Sequence, residues 1–188
     1  MPDNTIVYIS WIHWIGKTTL CKKIAEKTWM NHIIASSLLK KYRPDFGADK
    51  SLDGIESDVD AVLFGLKQEQ DRAKSILFDW HFVLSDRENN LIKIKKYFFS
   101  QAGMKEIVIL IDDISNIRMR LKERDGKDFS LDFLERFQNQ ELEYSREIAD
   151  MLHIPHRVFD ISESGLENIE EVLFNHVAKY AWTIEKYH

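Results

Sequence analysis

Lys17 and the two threonines after it are the residues best placed to do chemistry in this chain. They belong to Ser-Trp-Ile-His-Trp-Ile-Gly-Lys-Thr-Thr-Leu, Ser10 to Leu20, which leaves a strand-like run and enters an amphipathic stretch at once. Gly-Lys-Thr opening a helix is the second half of a phosphate-binding loop. Backbone N–H groups at the helix N-terminus surround the phosphate oxygens, lysine neutralises the β and γ oxygens, and the hydroxyl reaches Mg²⁺. Gly16, Lys17 and Thr18 fit in identity, order and context. Thr19 adds a hydroxyl near the α-phosphate, and the backbone of His13, Trp14 and Ile15 is expected to complete the cradle. The first half of the pattern departs. Trp11 stands five before Gly16, where glycine is required, and Trp14 holds another place where small residues are usual. An indole at Trp11 conflicts with glycine-only backbone angles and is expected to crowd the approach to the phosphates. A strand-to-helix turn with an incidental Gly-Lys-Thr is the alternative.

Further along, Asp79 follows the apolar run Ser-Ile-Leu-Phe. Its carboxylate is expected at a strand end facing the phosphate loop, where it can hold an Mg²⁺-bound water or an acceptor. His81, two residues on, points to the same side if the strand continues. A strand-end cap and a packed histidine are the plain alternatives. After Asp112-Asp113 comes a stretch carrying Arg118, Arg120 and Arg124. Arg120 and Arg124 share a helical face, Gly126 breaks the helix, and Arg136 sits early in the next one. A solvated basic face competes with any functional use of these arginines. Glu141, Glu143, Tyr144, Arg146 and Glu147 read as a surface charge pattern supporting a helix. No Cys/His or Ser/His/Asp array is legible, and the other histidines lack metal-ligand spacing.

These residues need a scaffold, and the apolar pattern supplies one. Strands are predicted at Thr5–Ile12, His32–Ala35, Ser75–Phe78, Glu106–Ile111 and His156–Asp160. Most are continuous apolar runs, as strands covered on both faces require. Helices are predicted at about 17–28, 55–73, 87–101, 114–124, 130–152 and 166–181. Alternation of strands with helical segments implies right-handed crossovers and a mostly parallel sheet, with ligands at the carboxyl ends of the strands. The 188 residues suit one domain, without repeats or linkers. A net charge of −5 gives no overall pull toward nucleic acid or anionic lipid. The lone Cys21 rules out an internal disulfide. With no signal-peptide n-region and no bilayer-length apolar stretch, the expectation is a cytoplasmic globular protein.

Taken with the third strand, the loop resembles that of the P-loop nucleoside/nucleotide kinase superfamily. Within it the chain is most similar to the small adenylate-kinase-like proteins known as AAA-family ATP-binding proteins. The resemblance rests on the Ser10–Leu20 segment, Ser36-Ser37-Leu38-Leu39-Lys40, Phe78-Asp79-Trp80-His81-Phe82, and the arginines after the fourth strand. It implies a three-layer αβα P-loop NTPase fold with a five-stranded mostly parallel sheet and a short lid near 124–130. It further implies ATP and Mg²⁺ as cofactors, with Lys17, Asp79 and Arg124 catalytic and Thr18 and Asp79 on the metal. Arg120 would join His13 to Thr19 on the nucleotide, while Ser37, Arg43, His81 and Arg136 would face a small acceptor.

Three functions follow from different classes: phosphoryl transfer to a nucleoside monophosphate, an ATPase acting with a macromolecular partner, or a binding module whose nucleotide site the indoles have closed. The tryptophans raise a separate question. There are five, against seven glycines, where glycine usually makes up about 7% of residues. Trp11 and Trp14 lie in the loop, and Trp29 and Trp182 follow helical segments where glycine commonly sits. Ordinary divergence with aromatic packing and replacement of glycines both account for the pattern at this point.

Overall fold

The computed structural model describes residues 4–11, 17–43, 52–86, 88–126 and 128–182. In chain order the elements are β1 (Thr5–Ser10), α1 (Lys17–Thr28), β2 (Asn31–Ile34), α2 (Ala35–Tyr42), α3 (Leu52–Gln70), β3 (Ser75–Asp79), β4 (Val83–Ser85), β5 (Leu91–Lys93), α4 (Lys96–Ala102), β6 (Met104–Ile111), α5 (Ile114–Asp125), α6 (Leu131–Leu152), β7 (His156–Asp160) and α7 (Ile161–Trp182). The main sheet runs β2-β3-β1-β6-β7, and its pairings are all parallel. β1 is therefore the central strand, and Ile6 to Ser10 are buried. Alternate residues serve opposite layers. Ile6 and Tyr8 join the cluster beneath α2 to α6, while Val7 and Ile9 join the one beneath α1 and α7. Each such buried side chain contributes about 1.5–3 kcal/mol relative to exposure. The three-layer α/β expectation holds.

The helix predicted at 87–101 divides. Asp86 Oδ1 accepts from the backbone N–H groups of Glu88 and Asn90, both at 2.8 Å, and Asn89 takes φ 62°. That side-chain turn reverses the chain, so β4 and β5 pair antiparallel before the short helix α4 begins. α7 starts at Ile161 rather than near 166, and β1 stops at Ser10. Among the described residues no helix is long and apolar enough to cross a membrane.

The end of α1 is unusual. The N–H of Met30 donates to the Ala25 carbonyl at 3.1 Å, the closure that demands a left-handed residue between helix and exit. That residue is Trp29, at φ 58°, and its side chain is 90% exposed. A left-handed conformation costs a side-chain-bearing residue about 1–2 kcal/mol. Glycine removes that strain, partly offset by its freer unfolded chain. Trp29→Gly is thus expected to stabilise the fold by about 0.5–1 kcal/mol, raising Tm by roughly 1–4 °C. A fall in Tm on thermal unfolding would show that the indole makes a stabilising contact.

Candidate functional site

The carboxyl ends of the central strands meet where the phosphate loop departs. His13, Trp14, Ile15, Gly16 and the Lys17 side chain lie outside the described residues. Lys17 is the first residue of α1, and Thr18 and Thr19 are exposed in its first turn. Trp11 is 2% exposed and does not take a positive φ. Its indole packs inward with Leu20, Leu110 and Ile161, in place of the expected glycine-only backbone. It also lines a small pocket at the sheet edge with Asp112 and Gln138.

Asp79 ends β3, in register with Ile9 of β1 on one side and Ile34 of β2 on the other. Its side chain is fully buried, and an oxygen lies 3.6 Å from His32 Nε2. Cys21 of α1 completes a group with His32 and Asp79, whose ligand atoms all lie within 4.8 Å of one another. The sequence showed no such array. The three residues come from separate elements, so only the fold assembles them. Their thiolate, imidazole and carboxylate chemistry suits a borderline-soft cation such as Zn²⁺. The Thr18 hydroxyl and Asp79 carboxylate offer the hard oxygens that Mg²⁺ requires.

β3 stops at Asp79, so the condition for His81 to share its side is not met. His81 is instead held from two directions. The Tyr8 hydroxyl donates to its carbonyl at 2.6 Å, and its Nδ1 lies 3.7 Å from Glu141 Oε1. Burial, then the charges of Glu141 and Asp79, push the Tyr8 pKa well above its ordinary value, so the phenol remains a donor.

The surface reading of α6 holds at the exposed Glu143, Arg146 and Glu147 and fails at Glu141. It is 1% exposed, and Tyr144 beside it is buried too. One carboxylate oxygen accepts from Ser10 Oγ and from the Phe82 N–H at 2.8 Å; the other accepts from the Val83 N–H at 2.7 Å. A single carboxylate thus ties the end of β1 to the segment after Asp79. A signal was present. Phe133, Phe137, Glu141, Tyr144 and Ile148 form one stripe at helical spacing, and all are buried.

The arginines separate. Arg120 bonds the buried Asp112, just past β6. The Asp112 backbone N–H donates to Gln138 Oε1 at 3.1 Å, and its carbonyl accepts from Gln138 Nε2 at 3.0 Å. Arg120 therefore stands at the carboxyl edge of the sheet. Arg118 pairs with Asp128 at 2.6 Å and tethers the connection between α5 and α6. Arg124 and Arg136 are exposed. Gly126, at φ 67°, ends α5, and Ser130 caps α6; of the expected lid near 124–130, Lys127 lies outside the described residues. Ser37 is exposed on α2. Arg43 donates from Nη1 to the Gly54 carbonyl and to Asp58 Oδ1, both at 2.5 Å, so it fastens α2 to α3. At the same seam, Gly65 leaves room for the Tyr42 ring, which a Cβ would meet at 2.8 Å.

The model of a family described as AAA domain matches residues 15–138, well over half of the chain. The chain belongs to that family. This AAA-domain protein is 27% identical over 168 residues to an adenylate kinase isoenzyme 6 homolog of Schizosaccharomyces pombe, covering 85% of this chain and 86% of the relative. Shikimate kinase from Acinetobacter baumannii, solved with shikimate, superposes with a TM-score of 0.60 at 14% identity, covering 94% of this chain and 93% of that one. Shikimate kinase from Bacteroides thetaiotaomicron gives 0.56 at 14% identity, covering 93% and 97%. Those likenesses establish the shared fold. The chain is a P-loop kinase-like protein.

Proposed function

We propose that this chain transfers the terminal phosphoryl group of ATP to a small acceptor, a nucleoside monophosphate. The observation that carries the reading is the buried carboxylate of Asp79, on the strand beside β1 and level with the last residues before the phosphate loop. The family match and the adenylate-kinase relative support it. Lys17 and Arg120 would offset charge on the triphosphate, and Asp79 would orient the acceptor or the metal's water. Mg²⁺ held by Thr18 and Asp79 would neutralise the β and γ oxygens. Glu141 and Tyr8 fix the backbone that follows Asp79, at residues 81 to 83, so this segment needs little reorganisation when substrate binds.

Calorimetric titration of ATP·Mg²⁺ into the chain and into Trp11→Gly/Trp14→Gly tests the reading. The variant is expected to bind at least about tenfold more tightly, a difference of about 1.4 kcal/mol. ADP should then form only when a nucleoside monophosphate is supplied. ADP release without an acceptor would replace this function with an ATPase that acts alongside a macromolecular partner. If neither protein binds ATP, the phosphate-loop reading fails.

A further inference from the structure

The exit of α1 has the backbone of a glycine and carries a tryptophan. Met30 bonds back to Ala25 at 3.1 Å, both residues lie in the buried cluster beneath α1, and Trp29 between them is left-handed at φ 58°. Other left-handed helix ends follow the usual chemistry. α4 ends at Gly103 and α5 at Gly126, while α6 ends at His153, a residue type enriched there. A bulky side chain in this conformation is an outlier that packing normally has to enforce. At 90% exposure, the Trp29 indole has little packing with which to do so.

The same exchange recurs where chemistry rather than a helix end asks for glycine. Trp11 stands at the first glycine of the phosphate-loop pattern, and Trp14 at a place where small residues are usual. With glycine at positions 11 and 14, the segment becomes Gly-Ile-His-Gly-Ile-Gly-Lys-Thr, which satisfies the whole pattern. Three independent mutations to the largest side chain, each at a site that favours the smallest, form a less economical account than one shared cause. Trp80 differs: it fills no position of the phosphate-loop pattern and takes no positive φ, and it packs edge-on against Phe98 at 4.9 Å.

We infer that the protein made by its source carries glycine at positions 11, 14 and 29, because one triplet at those positions is decoded there as glycine. UGA lies a single base from UGG, the tryptophan triplet, and a single base from GGA, a glycine triplet. Decoding it one way gives tryptophan at these positions, and decoding it the other way completes the phosphate-loop sequence pattern and relieves the left-handed helix end. For positions 11 and 14 the inference rests on the nucleotide-site reading. Position 29 rests on backbone geometry alone.

Peptide masses of the protein isolated from its source decide the matter. Glycine masses at all three positions are expected. A tryptophan mass at any of them, or UGG triplets at these positions in the gene, overturns the inference. A separate titration of ATP·Mg²⁺ into Trp11→Gly/Trp14→Gly/Trp29→Gly keeps the two readings apart. Glycine masses without ATP binding by that variant would leave the inference standing and sink the nucleotide site. Tryptophan masses together with ATP binding by the unaltered chain would do the reverse.

Discussion

Glu141→Ala is expected to destabilise the fold by about 3–5 kcal/mol in urea unfolding, close to the full stability of many domains of this size. The carboxylate accepts from Ser10 Oγ and from the N–H groups of Phe82 and Val83, and it is 1% exposed. Alanine leaves those donors buried without an acceptor, at about 1–3 kcal/mol for each group that water cannot reach. Glu141→Gln keeps one carbonyl oxygen, so its expected cost is smaller, about 1–2 kcal/mol. The difference between the variants isolates hydrogen bonding from helix packing. Equal stability of Glu141→Ala and the unaltered chain would mean that water replaces the carboxylate, and the positioning role assigned to it would fall.

Asp79→Asn is the second large effect, and it is kinetic. Asparagine has nearly the same shape, so the end of β3 should remain packed between β1 and β2. The negative charge is lost at the place proposed to meet the metal's water or the acceptor. In the Trp11→Gly/Trp14→Gly background, turnover with ATP and a nucleoside monophosphate is expected to fall about 10²–10³-fold, with ATP affinity changing far less. Unchanged turnover would make Asp79 a strand-end cap, and the catalytic assignment would move toward Asp112 and Arg120.

Much of the fold was legible because it is written locally. Continuous apolar runs marked the strands of the parallel sheet, and α6 was found at Leu131–Leu152 almost to the residue. The β4–β5 hairpin was missed because its apolar residues also suit a helix. Its decisive signal was a single side-chain turn at Asp86. The candidate site can be read from the sequence only as motif positions, at Lys17, Thr18 and Asp79. It was illegible where partners come from distant elements. Glu141 shares its helix with solvated charges, and its burial depends on a backbone segment contributed by residues 82 and 83. Cys21, His32 and Asp79 likewise meet only through strand order. Arg120 was picked out, but its partner Asp112 was visible only as part of an acidic pair.

The central position of β1 also sets the order in which this molecule can be made. Thr5 pairs with Ser75 and Ile6 with Met104, so β1 finds both neighbours only after every residue through β6 has been synthesised. Contacts so distant in sequence close slowly, because loop entropy is lost before pairing rewards it. The loop that β1 carries therefore acquires its surroundings late, when both flanking strands have docked. Nascent chains that end before β6 would hold β1 with one edge unpaired, a template for association with other chains. Any site at the carboxyl end of β1 is thereby a property of the finished sheet, and a growing chain cannot acquire it early.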